Sequence, residues 1–342
     1  MPQRAETAPF EPMEALLVDE LPVEEGWQFE PKWDGFRCIA IRDGDKIELW
    51  SKSGKPLGRY FPEIISMLAR LNEREFVFDG ELLIEVDGES AFDALQARLH
   101  PATSRITRLS IETPAQFIVF DCLSRQGRSL LSNPLHERRA ALEALMAVEQ
   151  EPALTLSPHS TDRREAAAWL ERSGAALDGI IAKRLNDPYR SGERAMLKLK
   201  VRRSADCVIG GFRRERNGTG VASLLLGLYD SAGLLNHVGF TSSIAAGERE
   251  VWATELGAIA GSSGFTGKAP GGPSRWTSRS AEWQPVESKI VIEVLYDQVT
   301  GDRFRHGTRL IRRRPDKAPS QCTMDQLSHP LGPSEVAQLI RA

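Results

Sequence analysis

Cysteine is scarce in this chain and nowhere clustered. Cys38, Cys122, Cys207 and Cys322 are spread over 342 residues with no Cys-x-x-Cys spacing. That argues against a zinc site and against a disulfide framework, and it fits a reducing cytoplasm. Long apolar runs are missing as well. None approaches the ~18 residues needed to cross a bilayer, and the stretch before Glu14 carries proline and glutamate where a secretory signal has an apolar centre. Nor is there a strong net charge. The formal value is −3, so no global basic field marks a polyanionic partner.

What is present is enough chain for two domains, with 41% hydrophobic residues to supply two cores. Charge is unevenly spread: 27 basic and 33 acidic residues up to position 202, against 17 and 14 after it. In the second part Arg303, Arg305, Arg309, Arg312, Arg313, Arg314 and Lys317 crowd together with Asp316 as the one acid among them. Such a cluster reads as a solvated face or as a phosphate-binding one.

Alternation predicts strands at 28–31, 39–42, 46–51, 75–84, 116–123, 179–183 and 196–201, and helical periodicity appears at 62–71, 91–99, 134–148 and 163–172. From Cys207 the pattern turns to short strands, at 207–212, 223–229, 236–240, 289–296 and 304–312, interrupted by a helix at 246–260. Five strands with an inserted helix suggest a small Greek-key barrel of the oligonucleotide-binding (OB) type. Residues 261–274 read as a Gly/Pro/Ser loop. The expected domains are 1–202 and 203–342, with a hinge near 203–206.

Certain polar residues break these patterns. Lys32-Trp33-Asp34-Gly35-Phe36-Arg37 lies between two strand-like runs, so Lys32 sits on a turn. A lysine there is either an exposed strand cap or, once deprotonated, a covalent nucleophile. Asp79-Gly80-Glu81 ends an apolar strand. Asp178-Gly179-Ile180-Ile181-Ala182-Lys183 sets an acid before a strand and a lysine near its end. In Leu197-Lys198-Leu199-Lys200-Val201 the two-residue strand period puts both lysines on one face. Two ammonium groups held side by side call for an anion such as phosphate, unless the strand is a solvated edge.

In order and spacing these segments resemble the nucleotidyltransferases that form a lysyl-adenylate, and above all the ATP-dependent DNA ligases of the minimal bacterial ligase C type and of the ligase D module. Lys32 to Arg37 resembles the nucleophile motif, Asp79-Gly80-Glu81 the third motif and Phe120-Asp121-Cys122-Leu123 the strand after it. Asp178 to Lys183 is similar to the fourth, Leu197 to Lys200 to the fifth, and the run from Arg309 to Lys317 to the sixth. The resemblance spans the chain from Pro12 to Lys317. It implies an α+β fold: an ATP-grasp-like adenylation domain of antiparallel sheets with flanking helices, followed by an OB-fold barrel. No added helical DNA-binding domain is expected before Lys32, in keeping with the minimal form.

The resemblance implies that Lys32 takes AMP from ATP and passes it to the 5′-phosphate of a nick in duplex DNA, where the 3′-hydroxyl displaces it. Glu81 and Asp178 would bind Mg²⁺ (or Mn²⁺) and the ribose hydroxyls. Arg37 would hold the ribose, Glu30 the adenine amine, and Phe120 would stack on the base, with Lys183 also in the nucleotide site. Lys198 and Lys200 would hold the α-phosphate and lower the pKa of Lys32, while Arg314 and Lys317 with Asp316 would close on the triphosphate. Two positions depart from the pattern: Lys52 stands where arginine is usual, and Asp178 where glutamate is. Lysine keeps the charge but loses bidentate phosphate binding. A cytoplasmic, monomeric enzyme of DNA repair is expected, with repair proteins as possible partners. Alternatives are an RNA ligase or GTP-using capping enzyme of the same superfamily, or a non-catalytic nucleic-acid-binding module.

Overall fold

The turn at Lys32 joins two sheets. The computed structural model describes residues 11–173, 176–216, 218–261, 264–271 and 282–341, so part of the expected 261–274 loop lies outside the described residues. Trp27–Pro31 is the last strand of a four-stranded sheet that also holds Ala15–Val18, Met196–Lys200 and Gly179–Arg184. Phe36–Asp43, four residues on, belongs to the second sheet. There the order is Leu154–Leu156, Gln116–Arg125, Glu75–Leu83, Phe36–Asp43, Lys46–Ser51. Most pairings are antiparallel, as short connections between neighbours allow.

Helices Pro62–Arg70, Phe92–Arg98 and Leu135–Met146 supply apolar side chains to a core built on the larger sheet, with Phe78, Phe117, Leu68 and Leu142 fully buried. A second cluster packs Phe29 and Ile180 of the smaller sheet against Trp169 of helix Arg163–Arg172. Asp121 is structural: its carboxylate accepts two bonds from Arg138, at 2.8 and 3.0 Å, with both side chains 1% exposed. The pair ties helix Leu135–Met146 to the strand carrying Phe120.

Two compact units divide the chain, residues 1–201 with 330–342 and residues 202–329. The tail expected with the second domain therefore packs in the first. Its helix Pro333–Arg341 puts Val336 into the Trp169 cluster, and Ser90 N donates to Pro330 O at 2.9 Å. The hinge expected at 203–206 falls inside the strand Arg203–Arg214, where those residues are in register with Tyr296 to Glu293. Paired backbone is a poor pivot. The junction is at 201/202.

In the second unit the strand order is Leu235–Thr241, Val221–Tyr229, Arg203–Arg214, Val291–Tyr296, Arg309–Arg313. The two outer strands meet in a parallel bridge, Thr241 with Thr308, where Thr308 N donates to Phe240 O at 3.0 Å. Third strand beside fifth in parallel closes the Greek-key barrel of the OB fold. Helix Arg249–Ala258 fills one end of the barrel with Trp252 and Leu256. The single strand expected at 304–312 is two short ones, Arg303–Phe304 and Arg309–Arg313.

Candidate active site

Lys32 occupies the crossing between the two sheets of the first unit. Its backbone N–H donates to Gly179 O at 2.9 Å, and its ammonium is ion-paired with Asp178. Two glycines beside this crossing let neighbouring strands pass close. A Cβ on Gly35 would lie 2.1 Å from Leu82 O, and one on Gly179 would lie 2.0 Å from Leu199 O, both far inside contact distance. Burial alone would make Lys32 easier to deprotonate, but Asp178, Asp34 and Glu81 outweigh it and the pKa is raised. The lowering expected from Lys198 and Lys200 is thus reversed, because carboxylates face the ammonium at closest range. At neutral pH Lys32 therefore carries its proton.

Glu81 pairs in register with Arg37 and accepts from Gly35 N at 3.0 Å. Burial pushes its pKa up to about 7, with Arg37 and Lys32 pulling the other way. A carboxyl left that short of positive charge suits a cation. With Asp178 it offers the hard oxygens that Mg²⁺ prefers, alongside oxygens of a phosphate substrate. Among the described residues no group of three or more His, Cys, Asp or Glu forms a cage of its own.

A cavity opens at Lys32, lined from the smaller sheet by Glu30, Lys183 and Lys198 and from the larger by Arg37, Glu81 and Phe120. Glu30 is buried and accepts from Lys183 at 2.9 Å and from Gln28 at 2.7 Å. Phe120 has the Lys183 ammonium and the Arg37 guanidinium each 4.6 Å from its ring centre, so it lines the site as an aromatic platform among cations. Arg37 is gripped by Asp79 through two 2.6 Å bonds. Asp79 in turn accepts from the Tyr189 hydroxyl at 2.7 Å, and that hydroxyl oxygen accepts from Met13 N at 2.8 Å. This chain fixes the guanidinium.

Lys198 and Lys200 share a strand face, and Leu197 and Leu199 pack into the Trp169 cluster behind it. Burial first, and then Lys32, Lys200, Lys52 and Arg194, lower the pKa of Lys198. The cations are crowded as a polyphosphate would need. Lys52 stands at the rim of the same cavity.

Arg314 and Lys317 belong to the second unit. Both grip Asp206, Arg314 at 2.8 and 2.9 Å and Lys317 at 2.8 Å, and Arg314 also binds Asp316. That last contact holds the Asp316 carboxyl down at about 2. The basic run is therefore not simply solvated: Arg312 pairs with Glu293, and Arg313 pairs with Glu255 and lies over Trp252.

Tyr189 and Glu14 were not picked out from the sequence, and Asp79 was placed in a motif but given no role of its own. For Asp79 a signal existed, since the two-residue period puts it on the same strand face as Glu81. Tyr189 and Glu14 reach their partners across 110 or more residues or from a rim segment, and no local pattern reveals that.

Residues 12–200 match the model of the ATP dependent DNA ligase domain, and residues 217–317 that of the ATP dependent DNA ligase C terminal region. The chain belongs to the ATP-dependent DNA ligases. DNA ligase C1 of Mycolicibacterium smegmatis (strain ATCC 700084) is 43% identical over 335 residues, covering 94% of this chain and 95% of that protein. The multifunctional non-homologous end joining DNA repair protein LigD of Mycobacterium tuberculosis (strain ATCC 25618) is 29% identical over 300 residues, 86% of this chain but 37% of that protein. A solved structure of a Lig E DNA ligase covers 88% of this chain and 100% of its own at a TM-score of 0.52 and 15% identity, a likeness of fold alone. This ligase uses ATP, and its substrate is DNA. The match selects that reading over the RNA-ligase, capping-enzyme and non-catalytic ones.

Proposed function

We propose that this ligase seals nicks in duplex DNA through an AMP carried on Lys32. The observation that carries the reading is the convergence of Lys32, Arg37, Glu81 and Lys198 on the cavity between the two sheets, with Asp178 ion-paired to Lys32. The Lys32 Nζ lone pair attacks the α-phosphorus of ATP, a P–N bond forms, and the bond to the bridging oxygen breaks to release pyrophosphate. The proton leaves Lys32 toward Asp178, which already accepts it as a hydrogen bond. Lys198 and Lys200 offset the charge gathering on the α-phosphate oxygens. Arg37, immobilised by Asp79, holds the ribose, Glu30 and Lys183 read the base edge, and Phe120 supports the ring. Glu81 and Asp178 are the residues that would hold Mg²⁺, which when bound withdraws electron density from phosphate oxygens.

A 5′-phosphate oxygen of the nick then attacks the AMP phosphorus and expels Lys32. The 3′-hydroxyl attacks the resulting pyrophosphate at its DNA side, AMP leaves, and the strand is joined. Lys52 meets the 5′-phosphate; Arg314 and Lys317 meet the triphosphate during the first step. Likeness to LigD, named as an end joining DNA repair protein, supports a repair role; a monomer acting in the cytoplasm belongs to the same proposal. Incubation with α-labelled ATP, GTP or NAD and Mg²⁺ tests the intermediate. Label is expected on the protein with ATP alone, and Lys32→Ala should abolish it while the fold persists. A Lys32→Ala protein that still labels would move the nucleophile elsewhere.

A further inference from the structure

Lys52 does not wait for its phosphate with an empty hand. Its ammonium is ion-paired with Glu14 at 2.8 Å, and Arg194 approaches the other carboxylate oxygen at 3.5 Å. Glu14 is not placed there by chance of a long side chain. Its N–H donates to Glu193 O at 2.8 Å and its C=O accepts from Met196 N at 3.1 Å, so its main chain is pinned to the segment that leads into the Lys198 strand. Glu14 also lines two adjoining cavities, the one at Lys32 and a larger one that runs past Lys52, Lys55, Arg59 and Tyr60. The two cavities share Glu14, Arg37, Lys52 and Glu81. At this rim Lys198 senses Lys32, Lys200, Lys52 and Arg194 together.

We propose that Glu14 is a resident counter-ion which a phosphate monoester must displace from Lys52 and Arg194, so that Glu14 sets how strongly and how selectively the site takes phosphate. The proposal rests on the reading of Lys52 as a phosphate ligand. The pair is partly exposed, with side chains 59% and 30% accessible, and exposed pairs hold loosely enough to be exchanged. A dianionic phosphate out-competes one carboxylate for a lysine and an arginine. A neutral ligand or a DNA end lacking phosphate cannot, and leaves Glu14 in place as a negative charge at the mouth of the second cavity. Glu14 thus discriminates as well as competes.

Glu14→Gln keeps the shape and removes the charge. Binding of nicked duplexes with a 5′-phosphate or a 5′-hydroxyl is measured with the adenylated enzyme, and KM for ATP is measured in the labelling reaction. Unfolding curves confirm that the variant folds. If the displaced phosphate is that of the nick, Glu14→Gln tightens the 5′-phosphate duplex about fivefold at low salt, less at high salt, and changes the 5′-hydroxyl duplex little. If it is the terminal phosphates of ATP, the KM for ATP falls instead. In either case Lys52→Ala in the Glu14→Gln background erases the gain. Equal changes for both duplexes with no change in the KM for ATP overturn the proposal. So does a gain that survives Lys52→Ala. If Lys52→Ala alone alters neither phosphate-dependent quantity, the reading of Lys52 fails and this proposal falls with it; if Lys52→Ala weakens binding while Glu14→Gln does nothing, only the proposal on Glu14 fails.

Discussion

Arg37 in the first unit and Arg314 in the second are held in opposite ways. In the first, Arg37 is clamped by Asp79, a carboxylate with 1% side-chain exposure that is itself held by Tyr189. In the second, Arg314 shares Asp206 with Lys317 and also binds Asp316; at 19% it is no more exposed than Arg37 at 22%, but its partner Asp316 is 64% exposed. A pair built on a buried, fully bonded carboxylate is preorganised and costly to break, because removing one partner strands the other charge. An ion pair to a carboxylate in water, such as Arg314 with Asp316, exchanges partners at little cost. The difference suits the proposed tasks. A ribose site must be the same in every step, whereas residues that meet the triphosphate once must then let go.

Breaking the buried side should have the largest effect. Asp79→Ala leaves the Arg37 guanidinium without its partner and should destabilise the protein by roughly 3–5 kcal/mol, read from urea unfolding. A loss near that of an ordinary surface substitution would mean that Arg37 finds other acceptors. Next comes pH. Glu81 has a native pKa of about 7 against 4.5 in free form, so the folded protein binds that proton more tightly than the unfolded one. The contribution to stability is fully present below pH 4.5 and is lost as pH rises through 7. Glu81→Gln should remove that slope, gaining on the order of 1–3 kcal/mol relative to wild type between pH 5 and 8, while catalysis is lost. Parallel stability profiles for the two proteins would show Glu81 to be already compensated.

The smallest effect on stability sharpens the comparison from the other side. Asp316→Asn loosens Arg314 and should leave the unfolding midpoint almost unchanged, since Asp316 is exposed. AMP attachment to Lys32 should still slow, by up to about a hundredfold if the misplaced charges matter. A variant that unfolds as readily as Asp79→Ala would erase the contrast between the units.

Much of this was legible in the sequence where the chemistry is local. Strict alternation put Lys198 and Lys200 on one face, because a strand has no other way to arrange them. The turn at Lys32 follows from its flanking strands. The barrel was legible from strand count, although the bridge from Thr241 to Thr308 that closes it was not. Helix Thr103–Glu112 was missed: of its ten residues only Ile106 is buried, so its apolar stripe is too thin to read. The charge on Lys32 was misjudged for a different reason. Sequence shows which cations and acids are near in a motif, but the contact of Nζ with Asp178, 146 residues away, decides the sign.

The return of residues 330–342 to the first unit bears on how the protein is made. A ribosome delivers the chain from the N-terminus at roughly 5–20 residues per second. The barrel unit, residues 202–329, is complete before Val336 exists. Until then the cluster that contains Trp169 and borders Trp33, the neighbour of Lys32, lacks its final apolar cover. Residues 330–342 therefore reach the first unit only after the whole of the second has been made, and they cover the wall beside the proposed nucleophile.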